Sequence, residues 1–374
     1  MSNGPQTPQI LIVGAGAMGL GAGYHLQLAG AAITFLVRPA RVLEMSRSQV
    51  LYSYDDATLK TFADYRLISD VAEISSSSYD YVIVTLDSLT TRKPEGTALL
   101  KSIGDAIRES STEVIIGGVG VGLHDYYLRT MALPAHRILN GALGMLSHQV
   151  AKFELPLHAP TDPVLLSKAD VAYRHIHKTS FLLDDRFPEA ARRFAAIYDT
   201  SGVSSCQIMK RQEFAMMTKF MFPVFAASEL LGWPHAKNLG NNKELWALTV
   251  RSVQEIQGFE EHGVAGKAAQ AATTADGLLG TWSSLEQATL PLDFAAFNKF
   301  HHGSKVRAQD IELLKDCVKV GEQEGQPMSA LKELLDKVQT RAQAEQDVLH
   351  RRRYECLERH ALELTVRGDC DQAL

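Results

Sequence analysis

Residues 14–19 read Gly-Ala-Gly-Ala-Met-Gly and follow directly on the apolar run Ile10-Leu-Ile-Val13. This spacing permits one economical solution: a strand that ends in a tight turn and restarts as a helix. The first glycine allows the turn, the second removes a Cβ from the path of an approaching ligand, and the third lets helix and strand pack closely. Ala29-Gly30 then offers a left-handed stop for the helix. Residues 32–37, Ala-Ile-Thr-Phe-Leu-Val, supply a second strand. Strand, glycine turn, helix, strand is one βαβ unit, the context in which the motif carries meaning. The helix start would present free N–H groups and the positive end of its dipole to a pyrophosphate. Gly14, Gly16 and Gly19, with Ala17 and Met18 between them, are therefore the candidate cofactor cradle.

The end of the second strand discriminates between dinucleotides. An acid there would hold ribose hydroxyls. The chain instead reads Val37-Arg38-Pro39-Ala40-Arg41. A guanidinium at Arg38 matches a 2′-phosphate in a bidentate manner, so the sequence points to NADP(H).

Further apolar runs at 81–86 and 114–116, with a helix over about 95–108, continue a parallel sheet buried on both faces. Strands are also expected at 137–139, 164–166, 171–177 and 204–209, and a helix at 188–198. After Lys210 the texture changes to long amphipathic segments. Leu331, Leu334, Leu335 and Val338 keep helical spacing, as do Ile311, Leu314 and Val318. The reading is α/β: a flexible start (1–7), a parallel-sheet domain (8–207), a helical domain (208–345), and an extension (346–374).

The chain has 374 residues and a net charge of -5, so it lacks the basic footprint of a nucleic-acid binder. Cys206, Cys317, Cys356 and Cys370 are scattered and form no C-x-x-C pair, as in a reducing cytoplasm. The start of the chain lacks the apolar region of a signal peptide, and no apolar run is long enough to span a bilayer. His175 and His177 alternate on an expected strand but have no third ligand at metal spacing, so no metal is assigned. His124-Asp125 follows the second glycine-rich loop and is expected to border a cleft. There is neither a G-x-S-x-G elbow nor a P-loop.

Three features together resemble the ketopantoate reductase family: the glycine turn with Arg38 after the second strand, the strand Val82-Ile-Val-Thr-Leu86, and Lys219 in Met217-Thr-Lys-Phe220. The likeness spans about residues 8–340. It implies a Rossmann-type domain followed by an all-helical domain that binds substrate and forms a homodimer. It also implies NADPH-dependent reduction of a 2-oxo acid to a 2-hydroxy acid, in pantothenate biosynthesis, in the cleft between the domains. Lys219 would be the proton donor, on a helix, and Asp310 the acid that holds substrate. Ser304, Asn298 and Asn238 would add polar contacts to the substrate, and Leu86, Gly118 and Val119 would lie beside the cofactor. The chain departs from the family where Asn is usual, at Val119, Pro223 and Ala227, and where Lys is usual, at Asp87. Substrate-gripping groups thus differ while the cofactor frame persists. Two other readings stand beside this one: an opine- or imine-type NADPH reductase, and a non-catalytic NADP(H)-sensing protein.

Overall fold

Twelve strands occur among the described residues: β1 (Gln9–Val13), β2 (Ala32–Leu36), β3 (Gln49–Ser53), β4 (Thr58–Phe62), β5 (Tyr65–Ile68), β6 (Tyr81–Val84), β7 (Glu113–Ile116), β8 (Ile138–Leu143), β9 (Leu146–Gln149), β10 (Val171–Arg174), β11 (Thr179–Asp184) and β12 (Ser205–Met209). The structure is a computed structural model and describes residues 7–341 and residue 343. Most of the expected N-terminal segment, and the extension at 346–374, lie outside those residues.

Eight strands form one sheet in the order β12-β11-β8-β7-β6-β1-β2-β5. Its pairings are parallel except where β11 meets β8. The strands β1, β6 and β7 are apolar and almost wholly buried, as the unbroken runs required. A second sheet, in the order β4-β3-β10-β9, was not foreseen. It packs Leu51, Phe62, Val171 and Tyr173 into the same core as Ile10, Ile12 and Ile33 of the large sheet. The glycine-turn helix Ala17–Leu28 contributes to this core too, and residues 19–26 are all buried. A helix that shows water no polar face must be covered on every side, and here the second sheet provides the outer cover.

Two strand expectations are corrected. Residues 164–166 belong to a helical turn, Pro163–Leu166, whose N-cap Asp162 accepts hydrogen bonds from the N–H groups of Val164 and Leu165. An acid followed by proline is a helix-start signal, and it outweighs three apolar residues. The strand expected over 171–177 ends at Arg174, because His177 and Lys178 turn the chain with φ of 56° and 57°. His175 and His177 therefore do not share a strand face.

From Arg211 onward the described elements are helical. Their core includes Leu248, Ile256, Leu313, Leu314, Leu331, Leu334, Leu335 and Val338, so the predicted periodic faces are the buried ones. Contacts between the helical and sheet regions include three near the loop after β7. The N–H of Ser88 donates to Gln309 Oε1 at 3.0 Å. Arg92 pairs with Asp316 at 3.1 Å. Val119 and Val121, from the loop after β7, pack on the helical core.

A Cβ at Gly19 would lie 2.2 Å from the carbonyl oxygen of Gly14. Gly19→Ala must push helix and turn apart, which costs about 1–3 kcal/mol by the usual measure of overpacking. The thermal midpoint should fall by several degrees, and an unchanged midpoint would show that the turn has slack.

Candidate active site

The glycine turn is shaped by its surroundings. Gly14 has φ of +102°, and a Cβ there would sit 2.9 Å from Thr85 Oγ1 and 3.1 Å from Leu86 Cδ2. Gly16 is exposed, and a Cβ on it would meet nothing within 4 Å. Open space therefore lies in front of the residue whose side chain would obstruct a pyrophosphate. The helix that follows has no side-chain cap and no acid in its first turn. Its leading N–H groups, Ala17 and Met18 among them, are left for an outside acceptor. Arg38 is exposed just beyond β2, and its side chain makes no hydrogen bond or ion pair among the described residues. Arg41 donates to the carbonyl of Ala15 at 3.3 Å and pairs with Glu44 at 2.9 Å. Both guanidinium groups thus stand at the side of the turn where the second strand ends.

Leu86 links this turn to a cavity. Its side chain backs Gly14, and its carbonyl oxygen lies 3.0 Å from where a Cβ on Gly118 would be. Gly118 and Val119 in turn line a cavity of about 140 Å³ together with Lys219. Three of the expected residues therefore meet in one enclosure between the sheet and the first helices of the helical region.

Lys219 is 5% exposed. It lies in the turn between the helices Arg211–Met217 and Phe222–Leu230, not on a helix as expected. Pro223 explains the break. It has no N–H, and its ring would clash with the carbonyl of the residue four before it, which is Lys219. The ammonium donates to the carbonyl of Ala215 at 2.8 Å and to Glu261 Oε1 at 2.9 Å. An ammonium has three N–H donors, so one is uncommitted. Burial raises the Glu261 carboxyl, but the Lys219 charge and hydrogen bond, with His262 and Arg211, outweigh it and hold it below its ordinary range.

The remaining polar lining was not read from the sequence, apart from His124 and Asp125, which border the cavity as expected. Asn140 Nδ2 donates to Asp184 Oδ2 at 2.7 Å. Arg186 and Arg211 also face the cavity. Each stands just past a strand, β11 and β12, that runs opposite to β8 and the strands beyond it, so the carboxyl-end rule for parallel sheets gave no signal for them. Glu261 had none either, because it sits in a short turn, Glu260–His262.

The other substrate candidates stand apart. Asp310 lines a separate small cavity with Phe225, Trp233, His302 and Arg307. Burial pushes its carboxyl up to about 8, and its Oδ2 lies 2.7 Å from Nδ1 of His302. Burial also lowers His302, to about 3. Asn298 is buried beside Trp282 and Trp233. Ser304 is exposed and bonds the carbonyl of Phe300. Asn238 is exposed in the turn Ala236–Asn241. None of these four lines the cavity that holds Lys219. His175 is engaged with Asp55 at 2.5 Å, away from any partner histidine on its own strand.

Comparison with known proteins follows the same division. Residues 10–154 match the family model described as ketopantoate reductase PanE/ApbA. No curated protein matches the sequence. Among solved structures, 2-dehydropantoate 2-reductase from Geobacter metallireducens GS-15 aligns with TM-score 0.62 at 18% identity, covering 89% of this chain and 99% of that one. The enzyme of the same name from Methylococcus capsulatus aligns with TM-score 0.61 at 12% identity, covering 90% and 97%. D-mandelate dehydrogenase in complex with NADH aligns with TM-score 0.60 at 16% identity, covering 90% and 99%. The fold, a parallel-dominated sheet followed by a helical region, is the one these proteins share. Among the described residues no helix is long and apolar enough to cross a membrane.

The depressed Glu261 carboxyl fixes the sign of one pH effect. Its stabilising contribution is present above the free-carboxyl value of 4.5 and is lost as pH falls through the lower folded value. The midpoint difference between wild type and Glu261→Gln should therefore be largest near neutrality and shrink in acid. A difference that grows below pH 4.5 would place the charge of Glu261 elsewhere.

Proposed function

We propose that this protein is an NADPH-dependent reductase of 2-oxo acids, with Lys219 as the proton donor. The observation that carries the reading is the continuity from Gly14 through Leu86 and Gly118 to a buried ammonium with one free donor. The residues fit a dinucleotide. The N–H groups after Gly16 would hold its pyrophosphate, Arg38 and Arg41 its 2′-phosphate, and Leu86, Gly118 and Val119 would flank its nicotinamide. When bound, a reduced nicotinamide supplies a hydride to a carbonyl carbon.

Lys219 acts on the carbonyl oxygen. Negative charge grows there during reduction, and an ammonium desolvated by the cavity both stabilises it and delivers the proton. Glu261 pairs with the ammonium at 2.9 Å and fixes its direction. The alcohol leaves with the Lys219 proton, and the neutral amine is reprotonated from solvent. A charged group of this kind favours oxo compounds over imines, since only the former develop an oxyanion.

Lys219→Ala should lower kcat by about 10²- to 10⁴-fold and leave NADPH affinity within twofold. Full turnover in that variant would reject the mechanism. Gly16→Val, whose side chain enters empty space, should fold with an unchanged midpoint and lose NADPH binding. Arg38→Ala should raise KM for NADPH far more than for NADH, and equal effects on the two would remove the 2′-phosphate role.

A further inference from the structure

The cavity beside Lys219 carries three cationic and three acidic side chains, and their pairing is uneven. Glu261 is tied to Lys219. Asp184 accepts from the Asn140 amide at 2.7 Å and from the backbone N–H of Arg186 at 3.3 Å. Asp125 is 69% exposed and turned toward His124. Every acid thus has a partner or water. The two guanidinium groups have no carboxylate. Arg211 makes its hydrogen bond to Asp185 through the backbone N–H, not the side chain. Arg186 Nε is buried with no partner at all, and Nη1 lies 3.2 Å from His124 Nδ1.

That last contact has a defined polarity. The guanidinium is donor only, so His124 Nδ1 accepts. His124 Nε2 then carries the hydrogen and donates to the carbonyl of Ile138 at 3.2 Å. His124, on the helix Leu123–Met131 and tied to the carbonyl of Ile138 on β8, therefore aims Arg186 without supplying a counter-charge. Burial, and then the charge of Arg211, hold the Arg186 guanidinium below its ordinary value. Two unpaired like charges facing one cavity are unfavourable until an anion sits between them.

We infer that Arg186 and Arg211 form an anion clamp that binds the carboxylate of the substrate, with His124 as the positioning residue. The inference rests on the reductase reading for the identity of the anion, a 2-oxo carboxylate, and on the cavity alone for its charge. It also accounts for the apolar and small residues at Val119, Pro223 and Ala227. With two guanidinium groups holding the carboxylate from the sheet side, amide contacts from those positions are not required.

Oxalate, a planar dianion that cannot be reduced by NADPH, tests the clamp without turnover. Calorimetric titration into the full-length protein with NADPH present should show binding that weakens at least tenfold in Arg186→Gln and in Arg211→Gln. NADPH affinity should stay unchanged in both, and wild-type binding should weaken as salt rises. Arg211 is exposed, so its variant reports even where Arg186→Gln fails to fold. In turnover, KM for pyruvate should rise by a similar factor in the variants, while KM for the uncharged analogue 2,3-butanedione stays put. No oxalate binding in wild type, or equal affinity in wild type and both variants, overturns the clamp. Turnover with oxo acids whose KM ignores both substitutions overturns the clamp and leaves the reductase. Oxalate binding lost in the variants, with no oxo acid consuming NADPH, upholds the clamp as an anion site and rejects the reductase.

Discussion

The close approach of Gly19 to the carbonyl of Gly14 governs the molecule. At that separation only hydrogen fits on Gly19, and the helix Ala17–Leu28 is drawn against the ends of β1 and β6. The helix is then deep enough to be covered on its far side by a second sheet. Its N-terminus stays at the surface, at Gly16, because nothing is packed over that residue. A buried body and an uncovered, uncapped tip are one consequence of one packing constraint. The tip is left open while the rest of the helix is held in place.

The second constraint is proline. Pro223 cannot continue a helix from Met217, so the chain turns at Lys219 and points its ammonium back along the preceding helix toward the sheet. The loop after β7 meets it from the other side, with Val119 and Val121 seated in the helical core. The Ser88–Gln309 and Arg92–Asp316 contacts hold the same junction. The cavity is what these contacts leave unfilled. Its polar wall joins Asn140, Asp184, Arg186 and Arg211, on or just past strands, to Lys219 and Glu261 from turns of the helical region.

Much of this was legible in the residues. The glycine spacing, the unbroken apolar strands and the change of texture after Lys210 each follow from local rules, and the structure shows the corresponding elements. The second sheet was not legible, because β3 and β4 pair through a turn, Tyr54 to Ala57, that lacks the usual glycine, and Ala57 adopts φ of 54° instead. The site was legible only in part. Gly118, Val119 and Lys219 sit on motifs. Glu261, Asn140, Arg186 and Arg211 converge through tertiary packing over more than a hundred residues of chain, which no local pattern encodes. Asp310 differs: its place at a helix start suited a ligand-binding acid, and the structure buries it against Phe225 and His302, outside the cavity that holds Lys219.

The central claim is that hydride moves from NADPH to a carbonyl carbon beside Lys219. Its most direct test is isotope transfer. The protein is incubated with a panel of 2-oxo acids and NADPH carrying deuterium at the transferring position of C4, and the products are read by mass spectrometry and NMR. The account predicts a 2-hydroxy acid with one deuterium at C2 for each NADPH consumed. Tight NADPH binding with no deuterium delivered to any oxo acid would contradict it.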